Sequence, residues 1–265
     1  MLKVTGLEKT FDIGTINEKK ALCGIDLTLQ EGDFVTVIGG NGAGKSTLLN
    51  AIAGVFPVDR GHIYLNGQEV TKLPEHKRAK LLGRVFQDPM MGTAADMGLE
   101  ENLALAYRRG QHRTLKWGIS KMERAFFREQ LLQLELGLEY RMNAKAGLLS
   151  GGQRQALTLL MATLKKPSLL LLDEHTAALD PKTAAKVLEI SDRIIEEHKL
   201  TAMMVTHNMR DAIRHGNRLI MMDSGRIILD IQGEEKKRLT VEELLERFHQ
   251  VSGANISNDR MLLSK

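Results

Sequence analysis

The residues best suited to chemistry are Gly39-Gly40-Asn41-Gly42-Ala43-Gly44-Lys45-Ser46. They satisfy the spacing G-x-x-x-x-G-K-[ST], in which glycines let successive backbone N–H groups point into one concavity and cradle phosphate oxygens. An apolar run, Phe34 to Ile38, precedes them, and a helical run from Thr47 to Ala53 follows and stops at Gly54. That context puts the phosphates at a helix N-terminus, where the positive end of the helix dipole favours an anion. Lys45 can then reach the β- and γ-phosphates, and the Ser46 hydroxyl can enter a Mg2+ shell. The expectation is a chain that binds a nucleoside triphosphate with Mg2+.

Two further runs carry charge or phosphate chemistry. Leu169-Leu170-Leu171-Leu172-Asp173-Glu174 places two carboxylates at the end of an apolar strand. Asp173 can hold Mg2+ through its water shell, and Glu174 can orient an attacking water and accept its proton. A plainer alternative is that the two acids merely cap a turn. With the phosphate loop present, hydrolysis is favoured over transfer to a second substrate. Leu149-Ser150-Gly151-Gly152-Gln153 opens a helical run to Lys165, with Ser150 as its cap. Read alone this is an ordinary helix entry. A second phosphate-ready helix terminus nevertheless suggests a composite site.

The elements that must position these residues follow from hydrophobic period and turn signals. Leu2 to Val4, Ala21 to Leu29 and Phe34 to Ile38 read as strands, and Ile63 to Gly67 as part of a hairpin. Asp12 to Lys20 reads as an extended hairpin tip. From about Pro89 to Gly152 the texture is helical, with helices expected over Glu100 to Arg109 and Ser120 to Leu136, the second behind a capping box. The basic connector Arg108, Arg109, His112, Arg113 and Lys116 reads as a solvated loop, with lipid head groups or nucleic acid as alternative contacts. From Gly152 onward helices alternate with short apolar strands, which argues for a parallel sheet covered on both faces. The helices are Pro181 to His198 and Met209 to His215, and the strands include Ala202 to Thr206 and Leu219 to Met222.

Composition limits the classes open to such a chain. With 265 residues, 43% hydrophobic and 26% charged, it is a globular α/β protein large enough to fold without staples. Its single cysteine, Cys23, excludes an internal disulfide framework and a Cys-based zinc cage. No apolar signal region opens the sequence, and no run approaches the ~18 residues of a spanning helix. Any membrane role is therefore expected to come through a partner. The sequon Asn255-Ile256-Ser257 is read as irrelevant, and the net charge of +4 decides between neither nucleic acid nor membrane.

The phosphate loop, the LSGGQ run, the Leu169 to Glu174 strand and a strand-end His207 come in an order that resembles the ABC ATPases. LSGGQ is the specific element, and the resemblance covers about residues 1–230. It implies an α/β fold: a P-loop NTPase (RecA-like) core with a mostly parallel sheet, an N-terminal antiparallel β subdomain and an inserted helical subdomain at about 89–160. The ATPase domain would span 1–235, with a helical tail over 236–265. It also implies a head-to-tail homodimer with two ATP molecules between protomers. Each site would take Gly39 to Thr47 from one chain and Ser150, Gly151, Gly152 and Gln153 from the other. By the same resemblance Gln87 reaches Mg2+ and the water and reports to the transporter. His207 contacts the γ-phosphate, and Asp180 crosses the dimer interface. Phe11 would stack on adenine, a plain core or hairpin role being its alternative. The family often has Pro after the catalytic Glu; here His175 stands there, read as a neutral variation on a position that could titrate.

The function so implied is the ATP-hydrolysing subunit of a transporter, at the cytoplasmic face of a membrane. It would be bound to separate transmembrane permease chains, with an extracellular solute-binding protein as an optional further partner. Import of a small solute such as an amino acid is favoured over export or lipid extraction. A soluble relative acting on nucleic acid or the ribosome is the competing class. No coiled-coil insertion, zinc-binding cysteines or second cassette supports it, and no nucleic-acid partner is expected.

Overall fold

The computed structural model describes residues 1–111 and 118–252. Its centre is a six-stranded sheet of order β10-β9-β3-β8-β7-β6. The strands are β3 (Phe34–Ile38), β6 (Leu82–Val85), β7 (Leu169–Asp173), β8 (Ala202–Val205), β9 (Arg218–Asp223) and β10 (Arg226–Gln232). Neighbours pair in parallel except β9 with β10, which form the hairpin around Ser224-Gly225.

The leucine run of β7 is explained by burial on both faces. Leu169 and Leu171 pack with the N-terminal sheet and the phosphate-loop helix, α1 (Lys45–Ala53). Leu170 and Leu172 point the other way, into a cluster with Phe127, Leu157 and Ile190. Alternate side chains of a strand face opposite sides, so a strand sandwiched between layers reads as continuously apolar.

The first layer beside this sheet is a four-stranded antiparallel sheet of order β2-β1-β4-β5. It is built from β1 (Leu2–Phe11), β2 (Lys19–Leu29), β4 (Arg60–Leu65) and β5 (Gln68–Glu69). Residues 12–18 join β1 to β2, so the expected long hairpin tip is present. A short helix, α2 (Glu75–Arg78), precedes β6. The helical insertion then runs between β6 and β7 as α3 (Leu99–Tyr107), α4 (Lys121–Leu132) and α5 (Gly151–Thr163). The Ser120 capping box forms as its spacing requires, but α4 ends earlier than the expected Leu136. The chain leaves the helix at Leu132, and Glu135 and Gly137 turn with positive φ. Of the basic connector, Arg108 donates to Gly118 O and Glu123, and Arg109 to Ala162 O and Lys165 O. His112, Arg113 and Lys116 lie outside the described residues, as does the sequon at Asn255.

On the far side lie α6 (Pro181–Glu197), α7 (Met209–Arg214), α8 (Gly233–Arg238) and α9 (Val241–Ser252). Leu244 and Phe248 of α9 are buried with Ile38, Met209, Leu219 and Met221, so this end of the chain packs onto the central sheet. The division expected at residue 236 falls inside α8, where the buried Lys236 donates to the carbonyls of His215 and Gly216. Burial pushes the Lys236 ammonium down to about 8. Among the described residues no helix is long and apolar enough to cross a membrane.

Candidate functional site

The phosphate loop leaves the C-terminal end of β3 and requires glycine at its closest approaches. At Gly39 (φ 149°) a Cβ would lie 2.1 Å from Met222 O, and at Gly44 (φ 101°) 2.6 Å from Ala21 O. Both contacts are with backbone, which has nowhere to move. The loop is braced by Gly225 N donating to Ala43 O at 3.0 Å. Lys45 Nζ donates to Gly39 O at 2.8 Å and to Gly40 O at 3.1 Å, which sets the ammonium in the mouth of the loop. Phe11 pairs in register with Lys19, whose Nζ lies 3.0 Å from where a Gly42 side chain would begin. The Phe11 ring, only partly buried, meets Phe56 edge-on at 5.2 Å.

Sheet order brings the acidic strand end next to this loop. Ser46 Oγ donates to Asp173 Oδ1 at 3.2 Å. Burial raises the Asp173 carboxyl, and the Ser46 hydroxyl and the Arg84 guanidinium oppose that rise. Glu174 sits at φ 45°, a left-handed conformation held by its N–H on Val205 O and its carbonyl on Ala177 N, both 3.0 Å. Strain of this kind persists only where surrounding bonds over-determine it. His207 Nδ1 lies 3.7 Å from Glu174 Oε2. The His207 ring holds the Glu174 carboxyl below its usual value, and Glu174 in turn raises His207. The histidine is fixed where β8 passes into α7, with Asn208 capping that helix by accepting from Arg210 N and Asp211 N.

His175 turns away from this edge into the core. Its Nε2 lies 3.0 Å from Ser191 Oγ, and burial, with His215 nearby, pushes the ring down to about 4. It is therefore uncharged near pH 7. Gln87 is exposed and lines a cavity of about 680 Å³ with Asn50, Arg84, Phe86 and Asp173. Sequence reasoning passed over Arg84 and Gln155. The first was a lone charge in an apolar strand, which was the available signal. The second, fully buried on α5, donates to Phe86 O at 2.9 Å and so connects the LSGGQ helix to the residue before Gln87.

The LSGGQ run contacts another quarter of the molecule. Ser150 Oγ accepts from Gln153 N at 3.3 Å, completing a capping box, and Gln153 Nε2 donates to Leu136 O. Gly151 and Gly152 pack against Leu179 and Thr183, and Ser150 is exposed. Asp180 Oδ1 accepts from Thr183 N at 3.1 Å, and its bonds to Thr183 hold the carboxyl below its usual value. The structure thus gathers Lys45, Ser46, Asp173, Glu174 and His207 at one sheet edge and leaves Ser150 to Gln153 outside that group.

Ser46 and Asp173 offer hard oxygen donors, which suit Mg2+. Among the described residues no cluster of three or more His, Cys, Asp or Glu forms a protein-only cage. A Mg2+ held here would therefore share its shell with phosphate and water, the usual arrangement for this ion.

The family model described as ABC transporter matches residues 22–177, more than half of the chain. The chain belongs to the ABC transporter family. Its fold is the P-loop cassette of ABC ATPases. The solved dimer of the cassette MJ0796 bound to ADP and Pi superposes with a TM-score of 0.73 at 30% identity, covering 88% of this chain and 98% of that one. The tyrosine transport ATP-binding protein of Clostridioides difficile is 43% identical, over 94% of this chain and 98% of the relative. A methionine import ATP-binding protein of Enterococcus faecalis is 32% identical, over 94% and 76%. An energy-coupling factor ATP-binding protein of Acetivibrio thermocellus is also 32% identical, over 92% and 84%.

Proposed function

We propose that this cassette binds ATP with Mg2+, hydrolyses it in a head-to-tail homodimer, and so powers import of an amino-acid-like solute through separate permease chains. The carrying observation is the convergence of Lys45, Ser46, Asp173, Glu174 and His207 where β3, β7 and β8 end side by side. Lys45 and the N–H groups of Gly39 to Thr47 hold the phosphates. Ser46, Asp173 and Gln87 hold the metal, which when bound would neutralise charge on the β- and γ-phosphates.

Glu174 takes a proton from water as the water oxygen bonds to the γ-phosphorus. The bond from that phosphorus to the β–γ bridging oxygen breaks, giving ADP and phosphate. The Glu174 carboxyl, held below its usual value by His207, is ionised, the form that can accept a proton. His207 stands 3.7 Å from that carboxylate and would orient it and meet the γ-phosphate. Phe11, beside Lys19 over the loop, would stack on adenine.

Exposure of Ser150 and of Leu148, 70% accessible beside it, suits a surface that a second copy covers. Ser150, Gly151, Gly152 and Gln153 would then complete the partner's site, with Asp180 at the seam. Met90 and Met91 are exposed apolar residues just after Gln87, a fitting place for a permease to dock. The tyrosine and methionine transport relatives support an amino-acid-like cargo. The protein would sit at the cytoplasmic face of the membrane, with an extracellular solute-binding protein completing the importer and no nucleic acid involved.

The test is purification of the tagged chain from gently solubilised membranes, with mass spectrometry of co-purifying chains and an ATPase assay of the complex. A multi-span permease with ATP turnover is the expected result. Ribosomal or DNA-repair partners without a permease would overturn the transport reading.

A further inference from the structure

Strand β6 carries a charged side chain that the roles above do not use. Arg84 is largely buried, and its Nη2 lies 3.9 Å from Asp173 Oδ2 and donates to Asn50 Oδ1. Its guanidinium carbon stands 4.5 Å from the centre of the Phe86 ring. Its Nε is buried without a hydrogen-bond partner. Such a group costs stability that an apolar residue in the same strand would not, so packing alone does not account for it.

The contacts close a ring around the metal-binding carboxylate. Asn50 lies one turn beyond Ser46 on α1, and Ser46 holds Asp173 Oδ1. Arg84 faces the other oxygen, Oδ2, and returns to α1 through Asn50. The same guanidinium lies against Phe86, whose carbonyl accepts from Gln155 and whose next residue is Gln87. Glu75 also lines this cavity, as a second acid near the guanidinium.

We infer that Arg84 is a positioning residue that engages one oxygen of Asp173, reserving the other for Ser46 and the Mg2+ shell, and that ties this carboxylate to the strand end bearing Gln87. This rests on the proposed metal role of Ser46 and Asp173. A planar fork serves acceptors on two elements while lying against an aromatic ring; a lysine ammonium keeps the charge but loses that geometry.

Arg84→Lys therefore separates positioning from charge. Binding of Mn2+ to the full-length protein with ADP is followed by the electron-spin signal of free Mn2+. Binding of a fluorescent ADP analogue is measured in parallel in EDTA. Arg84→Lys should weaken Mn2+ binding about tenfold, the low end for loss of a group that supports a ligand. Metal-free nucleotide affinity should stay within about twofold. Asn50→Leu, which frees the same guanidinium from α1, should weaken Mn2+ binding in the same direction. It carries the test if Arg84→Lys does not fold. Unchanged Mn2+ binding in the folded variants overturns the inference, as does an equal loss of metal-free nucleotide binding. Failure of the wild-type protein to bind Mn2+ with ADP would instead overturn the metal role of Ser46 and Asp173.

Discussion

Replacing Glu174 by Gln separates chemistry from stability at this site. The amide has nearly the same shape, and the strained turn is held by backbone bonds to Val205 and Ala177 that the substitution leaves intact. The side-chain loss is the ion pair with His207 at 3.7 Å, and the histidine side chain is 47% exposed. Solvent screening limits such a pair to about 1 kcal/mol or less. Removing a positioned general base costs about 10²- to 10⁴-fold in rate, or roughly 3–5 kcal/mol of barrier. Turnover should thus collapse while stability barely moves.

The linkage has a definite sign. Glu174 is depressed, so its share of stability is present above its unfolded value of about 4.5 and is lost as pH falls through the folded value. His207 is raised, so its share is present below about 6.5 and lost as pH rises through its folded value. Their pairing is worth most between those limits, and the variant should lose stability chiefly in that window. Phosphate release, urea unfolding at several pH values and size-exclusion with ATP measure these effects together. An ATP-stabilised dimer should accumulate. Turnover within about threefold of wild type, with nucleotide binding intact, would refute Glu174 as the base.

Three further outcomes test other parts of the reading. Ser150→Arg should suppress phosphate release at least about tenfold while leaving monomer affinity for fluorescent ATP within about twofold, since a trans residue does not hold the nucleotide of its own chain. Collapse of that affinity in a folded variant contradicts the trans assignment. Gly39→Ala forces a Cβ to within 2.1 Å of Met222 O at positive φ, so unfolding free energy should fall by at least about 2 kcal/mol, read by urea titration. His175, held at about 4 against about 6.5 unfolded, binds fewer protons folded than unfolded, so wild-type stability should fall as pH drops from 6.5 toward 4. His175→Gln should flatten that slope, worth about 3 kcal/mol in full, and an unaltered slope in urea titrations at pH 7, 5.5 and 4.5 would contradict a buried neutral ring.

Local features of the sequence determined most of this molecule's elements. The spacing from Gly39 to Ser46 fixes a loop between strand and helix because only glycine tolerates its backbone contacts. Ser120, Ser150 and Asp180 mark helix starts because each side chain satisfies an otherwise orphaned N–H within three residues. The run Leu169 to Leu172 announces a strand buried on both faces. What no local pattern encodes is which strand ends lie side by side. The order β3-β8-β7-β6 brings His207 to Glu174, Ser46 to Asp173 and Arg84 to Asn50, residues separated by 33, 127 and 34 positions. It also turns His175 into the core although its neighbour Glu174 faces the site, because the left-handed turn at Glu174 redirects the chain. The candidate site was legible because its residue types are rare at those spacings; its electrostatic surroundings were not, because a charge on a strand acquires meaning only from the neighbours that tertiary packing supplies.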